Sequence, residues 1–235
     1  MKGELKDKVA RGVAWSMAEK IGSMLLAMAV RLVILRLLTR DILGFMSIPS
    51  AVVTVLLVIV DSGFSQSLVR HKGPSQSDYK SVFLFNIAVS ALLYALLVAA
   101  APFAARWYGM PEIARIAPVF FLLLPLNALC AVQNTIFIRQ FRFALLSKVT
   151  FLSSLAGGLA AIALALAGWG IWSLVTERVI AVGVRTALLW WLSDWRPCGK
   201  CGLKPLREMA PFGCSLMVTD LISNFYNLSL IHISE

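Results

Sequence analysis

Near-continuous apolar runs of about 20 residues recur along the chain between short charged connectors, and no other feature restricts the fold as strongly. At a rise of about 1.5 Å per residue, such a run in helical form crosses the ~30 Å hydrocarbon core of a bilayer. Backbone amides and carbonyls find no water there, so a spanning segment must be a helix or a strand of a closed barrel. Residues 51–60 (AVVTVLLVIV) lack the in-and-out alternation of a barrel strand, which leaves helices. The chain is 59% hydrophobic and 14% charged, against about 45–50% and about 25% in soluble domains. These runs therefore exceed what a soluble core would use.

Spans are read at residues 12–38, 42–60, 82–105, 114–138, 149–168 and 171–192, with a seventh starting near Phe212. The expected fold is all-α, a polytopic transmembrane helical bundle. Residues 1–192 form a six-helix lobe, 193–211 a cytoplasmic connector and 212–235 the start of the seventh helix. Glu19, Lys20, Arg31 and Arg36 interrupt the first run and no small-residue cleavage site follows, so it is not a signal peptide. Pro49, Pro118 and Pro125 fall within spans and predict kinks.

The formal net charge is +10, but the basic residues are distributed between apolar runs rather than gathered on one soluble face, which argues against nucleic acid. They sort by connector. Fourteen lie before span 1, between spans 2 and 3, between 4 and 5, and between 6 and 7, whereas Arg40, Arg106 and Arg115 alone occupy the alternate side. The asymmetry predicts a cytoplasmic N-terminus. Trp15, Trp190, Trp191 and Trp195 then fall at the inner interface and Trp107, Trp169 and Trp172 at the outer, as an aromatic belt requires.

Charges inside spans carry the most information. Arg31, Arg36, Arg178, Arg185, Glu19, Lys20, Glu177 and Asp220 all lie within apolar segments, where an ionised side chain costs about 2.5–3.5 kcal/mol on insertion scales. Arg178 and Arg185 are seven residues apart, which returns to nearly the same helix face. Two readings stand. The charges pair internally, with Glu177 or Glu19 neutralising an arginine, or snorkel outward as Arg36 can. Alternatively Arg31, Arg178 and Arg185 line an electropositive cavity whose guanidinium forks match a phosphate or diphosphate. Asn86, Asn127, Gln133 and Asn134 add amides that can meet sugar hydroxyls or, as the favoured reading, neighbouring helices. Ser153, Gly157, Ala161 and Ala165 lay small side chains along one face of span 5, inviting close helix packing. Asp61, Phe64, Leu68, Arg70, His71 and Lys72 read as a short interfacial helix.

Enzymatic signatures are missing: the sequence holds no Walker loop, zinc-protease motif, nucleophile elbow or paired-aspartate motif, and no cofactor is implied. Cys198 and Cys201 have zinc-ligand spacing without a second pair, so no metal site is expected.

The segments Gly12-Val-Ala-Trp15-Ser-Met-Ala-Glu19-Lys20-Ile-Gly22, Asp61-Ser-Gly-Phe64, Phe85-Asn86, Arg139-Gln-Phe-Arg142-Phe, Gly168-Trp-Gly170-Ile-Trp172 and Trp195-Arg-Pro197 resemble bacterial polysaccharide biosynthesis proteins. More narrowly, they resemble Wzx-type, WzxC-like lipopolysaccharide and exopolysaccharide flippases of the multidrug/oligosaccharidyl-lipid/polysaccharide superfamily. The resemblance implies a MATE-like two-lobed bundle with a central cavity opened alternately to either side. It also implies undecaprenyl-diphosphate-linked oligosaccharide as substrate, membrane lipids and other polysaccharide-assembly proteins as partners, and the bacterial inner membrane as location. Glu177-Arg178 departs from the uncharged polar pair expected at that position. The tail after Tyr226, from Leu228 to Glu235, also departs from the pattern, and the chain is expected to be an N-terminal fragment. Two rivals stay open: a multidrug exporter of the same superfamily, which needs buried carboxylates for organic cations, and a non-transporting scaffold of a glycan-assembly complex.

Overall fold

The computed structural model describes residues 2–38, 40–61, 63–71, 73–107, 109–197 and 202–233. The described residues form helices α1 (Lys2–Leu37), α2 (Arg40–Asp61), α3 (Phe64–Arg70), α4 (Gln76–Trp107), α5 (Glu112–Phe120), α6 (Leu123–Arg139), α7 (Phe143–Leu166), α8 (Ile171–Leu192) and α9 (Leu203–Ile233), with no strand among them. The chain is an all-α polytopic helical bundle. Among the described residues, four segments are long and apolar enough to cross a membrane: Gly44–Asp61, Gln76–Trp107, Glu112–Arg139 and Phe143–Leu166. Helix α8 matches them in length but carries Glu177, Arg178 and Arg185.

Local chemistry sets the boundaries. The Ser75 amide donates to Asp78 Oδ2 at 2.7 Å and the Asp78 amide to Ser75 Oγ at 3.3 Å, a reciprocal cap at the start of α4. Between α7 and α8 the backbone turns through Gly168 and Gly170, both at positive φ, where a side chain would be strained. The expected fourth span is helical in two pieces. Pro125 has no N–H and its ring crowds the carbonyl of Phe121, so the ladder breaks at Phe121–Leu122 and the Leu124 amide bonds Phe121 O in a tightened turn at 3.0 Å.

Helix α7 packs between α1 and α8, while α6 lies against α2, α3, α4 and α8, and α9 rests on α2, α3 and α4. One apolar core joins Met46, Val53, Phe120, Leu124 and Val175; another, toward the basic connectors, joins Phe64, Leu68, Val82, Phe83 and Trp195. Leu25, Leu92, Leu96, Leu159 and Leu166 are exposed around the outside, an apolar surface that suits hydrocarbon and would be a liability in water.

The short helix expected after the second span forms as α3, with its apolar face turned inward: Phe64, Ser67 and Leu68 are buried against α6 and α9. Not all the tryptophans of the basic end face outward. Trp191 is exposed, but Trp195 is buried with Nε1 donating to Gln76 Oε1 at 2.7 Å, and Trp190 Nε1 donates to Leu129 O at 2.9 Å.

Candidate functional site

The small-residue face of α7 sets the level of the charged residues. A Cβ on Gly157 would lie 2.6 Å from the Glu177 carbonyl oxygen and 2.9 Å from Ala181 Cβ, so α8 approaches α7 backbone to backbone. On the adjacent residue, a Cβ on Gly158 would lie 2.7 Å from Val30 Cγ2 of α1. Ser153 and Ala161 are buried along the same seam. Neighbouring glycines thus seat α1 and α8 on one stretch of α7, which brings Arg31, next to Val30, to the level of Glu177 and Arg178. Glu177 is half-buried and lies within electrostatic reach of Arg178 and Arg31, both of which are exposed.

Arg185 behaves differently from Arg178 despite the shared helix face. It is half-buried between α8 and α6, where Nη2 donates to Asn134 Oδ1 at 3.2 Å and Nε is buried without a partner. Thr186 beside it donates to Leu126 O of α6 at 3.1 Å and to Val182 O at 2.9 Å. Seven residues of helix advance about 10 Å, enough to move from the α1-facing charge group to the α6 contact. The two arginines of α8 thus have different partners: Arg178, with Arg31, lies within electrostatic reach of Glu177, and Arg185 is hydrogen-bonded to Asn134.

The amides divide as well. Asn134 and the fully buried Gln133 sit between helices. Asn127 Nδ2 instead donates to Leu123 O of its own helix at 2.8 Å. Asn86 is fully buried, and neither of its amide atoms has a partner. The side chain of Glu19 and the pair Cys198 and Cys201 lie outside the described residues.

One polar group escaped sequence reasoning. The close approach of Gly63 to Gly213 brings α9 against the α2–α3 turn, where Asp61 comes within electrostatic reach of Asp220 and Gln66 Nε2 donates to Asp220 Oδ2 at 3.4 Å. No spacing could reveal it, since the carboxylates are 159 positions apart in the chain.

Residues 33–233 match the family described as polysaccharide biosynthesis protein. The succinoglycan biosynthesis transport protein ExoT of Rhizobium meliloti (strain 1021) is 28% identical over 218 residues, covering 92% of this chain and 44% of that protein. The teichuronic acid biosynthesis protein TuaB of Bacillus subtilis (strain 168) is 24% identical over 185 residues, covering 76% of this chain and 38% of that protein. The chain thus spans less than half the length of these curated relatives. No solved structure matches it.

Proposed function

The chain belongs to the polysaccharide biosynthesis protein family, and from that premise we propose that it forms one six-helix lobe of a transporter moving undecaprenyl-diphosphate-linked oligosaccharide across the bacterial inner membrane. The observation that supports this reading is an excess of guanidinium. Among the described residues, Arg31 and Arg178 lie within electrostatic reach of one carboxylate, Glu177, and Arg185 has the neutral amide of Asn134 as its hydrogen-bonded partner. The group is net positive, which suits a diphosphate and disfavours an organic cation. Exposed Arg31 and Arg178 meet the headgroup first, and the unpartnered Nε of Arg185 supplies a further donor deeper in the bundle. The protein's work is binding and translocation rather than bond making. The N-terminus and the basic connectors lie on the cytoplasmic side, where the lipid-linked saccharide is loaded.

Translocation is tested in vesicles reconstituted with the full-length transporter and a fluorescent lipid-linked oligosaccharide. Quenching from outside should reveal transfer between leaflets with the wild type, and the transfer should fall with Arg178→Ala or Arg185→Ala. Equal transfer with and without the protein would remove the reading.

A further inference from the structure

At the end of the bundle where the basic connectors meet, a cavity of about 320 Å³ opens among Gln76, Tyr79, Gln140, Arg142, Asp194 and Trp195. Three separate stretches build it: the first turn of α4, the end of α6 with the α6–α7 connector, and the end of α8 with the segment after it. It is apart from the arginine group in its lining and in its chemistry.

One wall is aromatic and held in place. Trp195 is buried, its ring meets Tyr79 edge-on with centroids 6.3 Å apart, and its Nε1 donates to Gln76 Oε1 at 2.7 Å. With that carbonyl engaged, Gln76 has its amide nitrogen left to donate. Gln140, Arg142 and Asp194 are exposed at the opening. Together these side chains offer cationic and neutral donors, an anionic acceptor, and two groups, Gln140 and Tyr79, able to do both. The lining holds one guanidinium, Arg142, and one carboxylate, Asp194, so the lining side chains themselves carry no net charge. A ligand that carries alternating donors and acceptors around an apolar ring, without net charge, fits this set, and a sugar has that character. The volume is at the small end of the ~300–1,000 Å³ typical of ligand pockets.

We propose that this cavity is a saccharide-binding subsite that takes part of the glycan of the lipid-linked substrate. The proposal rests on the transporter reading above and adds where the neutral sugar is recognised, separately from the diphosphate. A glycan held here is oriented before its headgroup reaches the arginines, and specificity for the sugar comes from Gln140 and Asp194 rather than from the charge group.

The test uses the 235-residue chain in lipid nanodiscs and ligand-observed NMR with a panel of soluble neutral gluco- and galacto-oligosaccharides. Saturable binding by at least one member is expected. Gln140→Ala and Asp194→Ala should each weaken it about tenfold, the loss of one or two hydrogen bonds. Both positions are exposed, so melting curves should match the wild type. Replacing Arg31 and Arg178 with Ala should leave saccharide binding unchanged while weakening binding of the diphosphate lipid. Failure of the whole panel to bind, or binding insensitive to both rim substitutions, overturns the subsite. Failure of the wild-type chain to bind the diphosphate lipid, with its saccharide binding intact, overturns the transporter reading and leaves the subsite standing.

Discussion

Val30 of α1 occupies the space that a side chain on Gly158 of α7 would need, its Cγ2 lying 2.7 Å from the Cβ position. The preceding residue, Gly157, makes the equivalent contact with α8. Packing on α7 therefore sets the height of Arg31 relative to Glu177 and Arg178.

Gly158→Leu and Gly157→Val should each destabilise the bundle by about 1–3 kcal/mol through overpacking, lowering the melting temperature by roughly 2–4 °C per kcal/mol. Gly183→Ala, at a position with nothing within 4 Å of a new Cβ, serves as the control and should be neutral or stabilising by up to about 1 kcal/mol. Thermal unfolding in detergent measures both. Equal melting temperatures for Gly158→Leu and Gly183→Ala would contradict the seam.

Arg139 of α6 holds the end of α3 by donating from Nη1 to the carbonyls of Leu68, Val69 and His71 at 2.5, 3.0 and 2.8 Å. Hydrogen bonds from a charged group to unsatisfied helix-end carbonyls contribute about 1.5–3 kcal/mol. Arg139→Ala should therefore speed amide hydrogen exchange across α3 while leaving α7 unaffected. Lys should recover protection in part, since a single ammonium lacks the planar fork. Unchanged exchange in Arg139→Ala would show that the α3 contacts with α6 and α9 suffice alone.

The bundle was legible in the sequence because apolar run length and charge spacing are local properties. So was the α7 seam, since small residues four apart must share a face. The break at Phe121–Leu122 was visible only as prolines, because sequence shows where an amide is missing but not which carbonyl repairs the turn. The inward turn of α3 and of Trp195 was hidden, because an amphipathic segment looks the same whether its apolar face meets lipid or a neighbouring helix. The partner of Arg185 was hidden for a related reason: helix periodicity gives its angle on α8, but Asn134 comes from α6.

The proposed topology places the N-terminus, His71, Phe141 and Cys201 in the cytoplasm, with Asp41, Met110 and Gly168 outside. His71 and the α6–α7 connector share one end of the bundle, joined through Arg139. Single cysteines at His71, Phe141, Met110 and Gly168, in a background with the four native cysteines changed to Ser, should be labelled by an impermeant maleimide in intact cells at Met110 and Gly168 alone. The same background should insert normally and keep its metal content, because Cys198 and Cys201 do not complete a zinc ligand set. Labelling at His71 from outside would invert the map.

Glu177 distinguishes internal neutralisation from substrate binding. If Arg178 exists to balance Glu177, changing both together to Gln should restore the transport that Arg178→Ala loses. Under the proposed function no such recovery is expected, since the guanidinium is proposed to act on phosphate. Transport in the full-length protein, with expression matched, checks it, and wild-type rates in the double variant would favour the pairing role.

Binding of undecaprenyl-diphosphate saccharide to the chain in nanodiscs decides whether the arginines hold a diphosphate, as proposed. Wild-type binding should be saturable and weakened by salt. Arg178→Ala and Arg185→Ala should each weaken it about tenfold, as expected for one charge-assisted hydrogen-bonded group, with Lys restoring part of the affinity. Affinity unchanged when Arg31, Arg178 and Arg185 are all replaced by Ala would contradict the account.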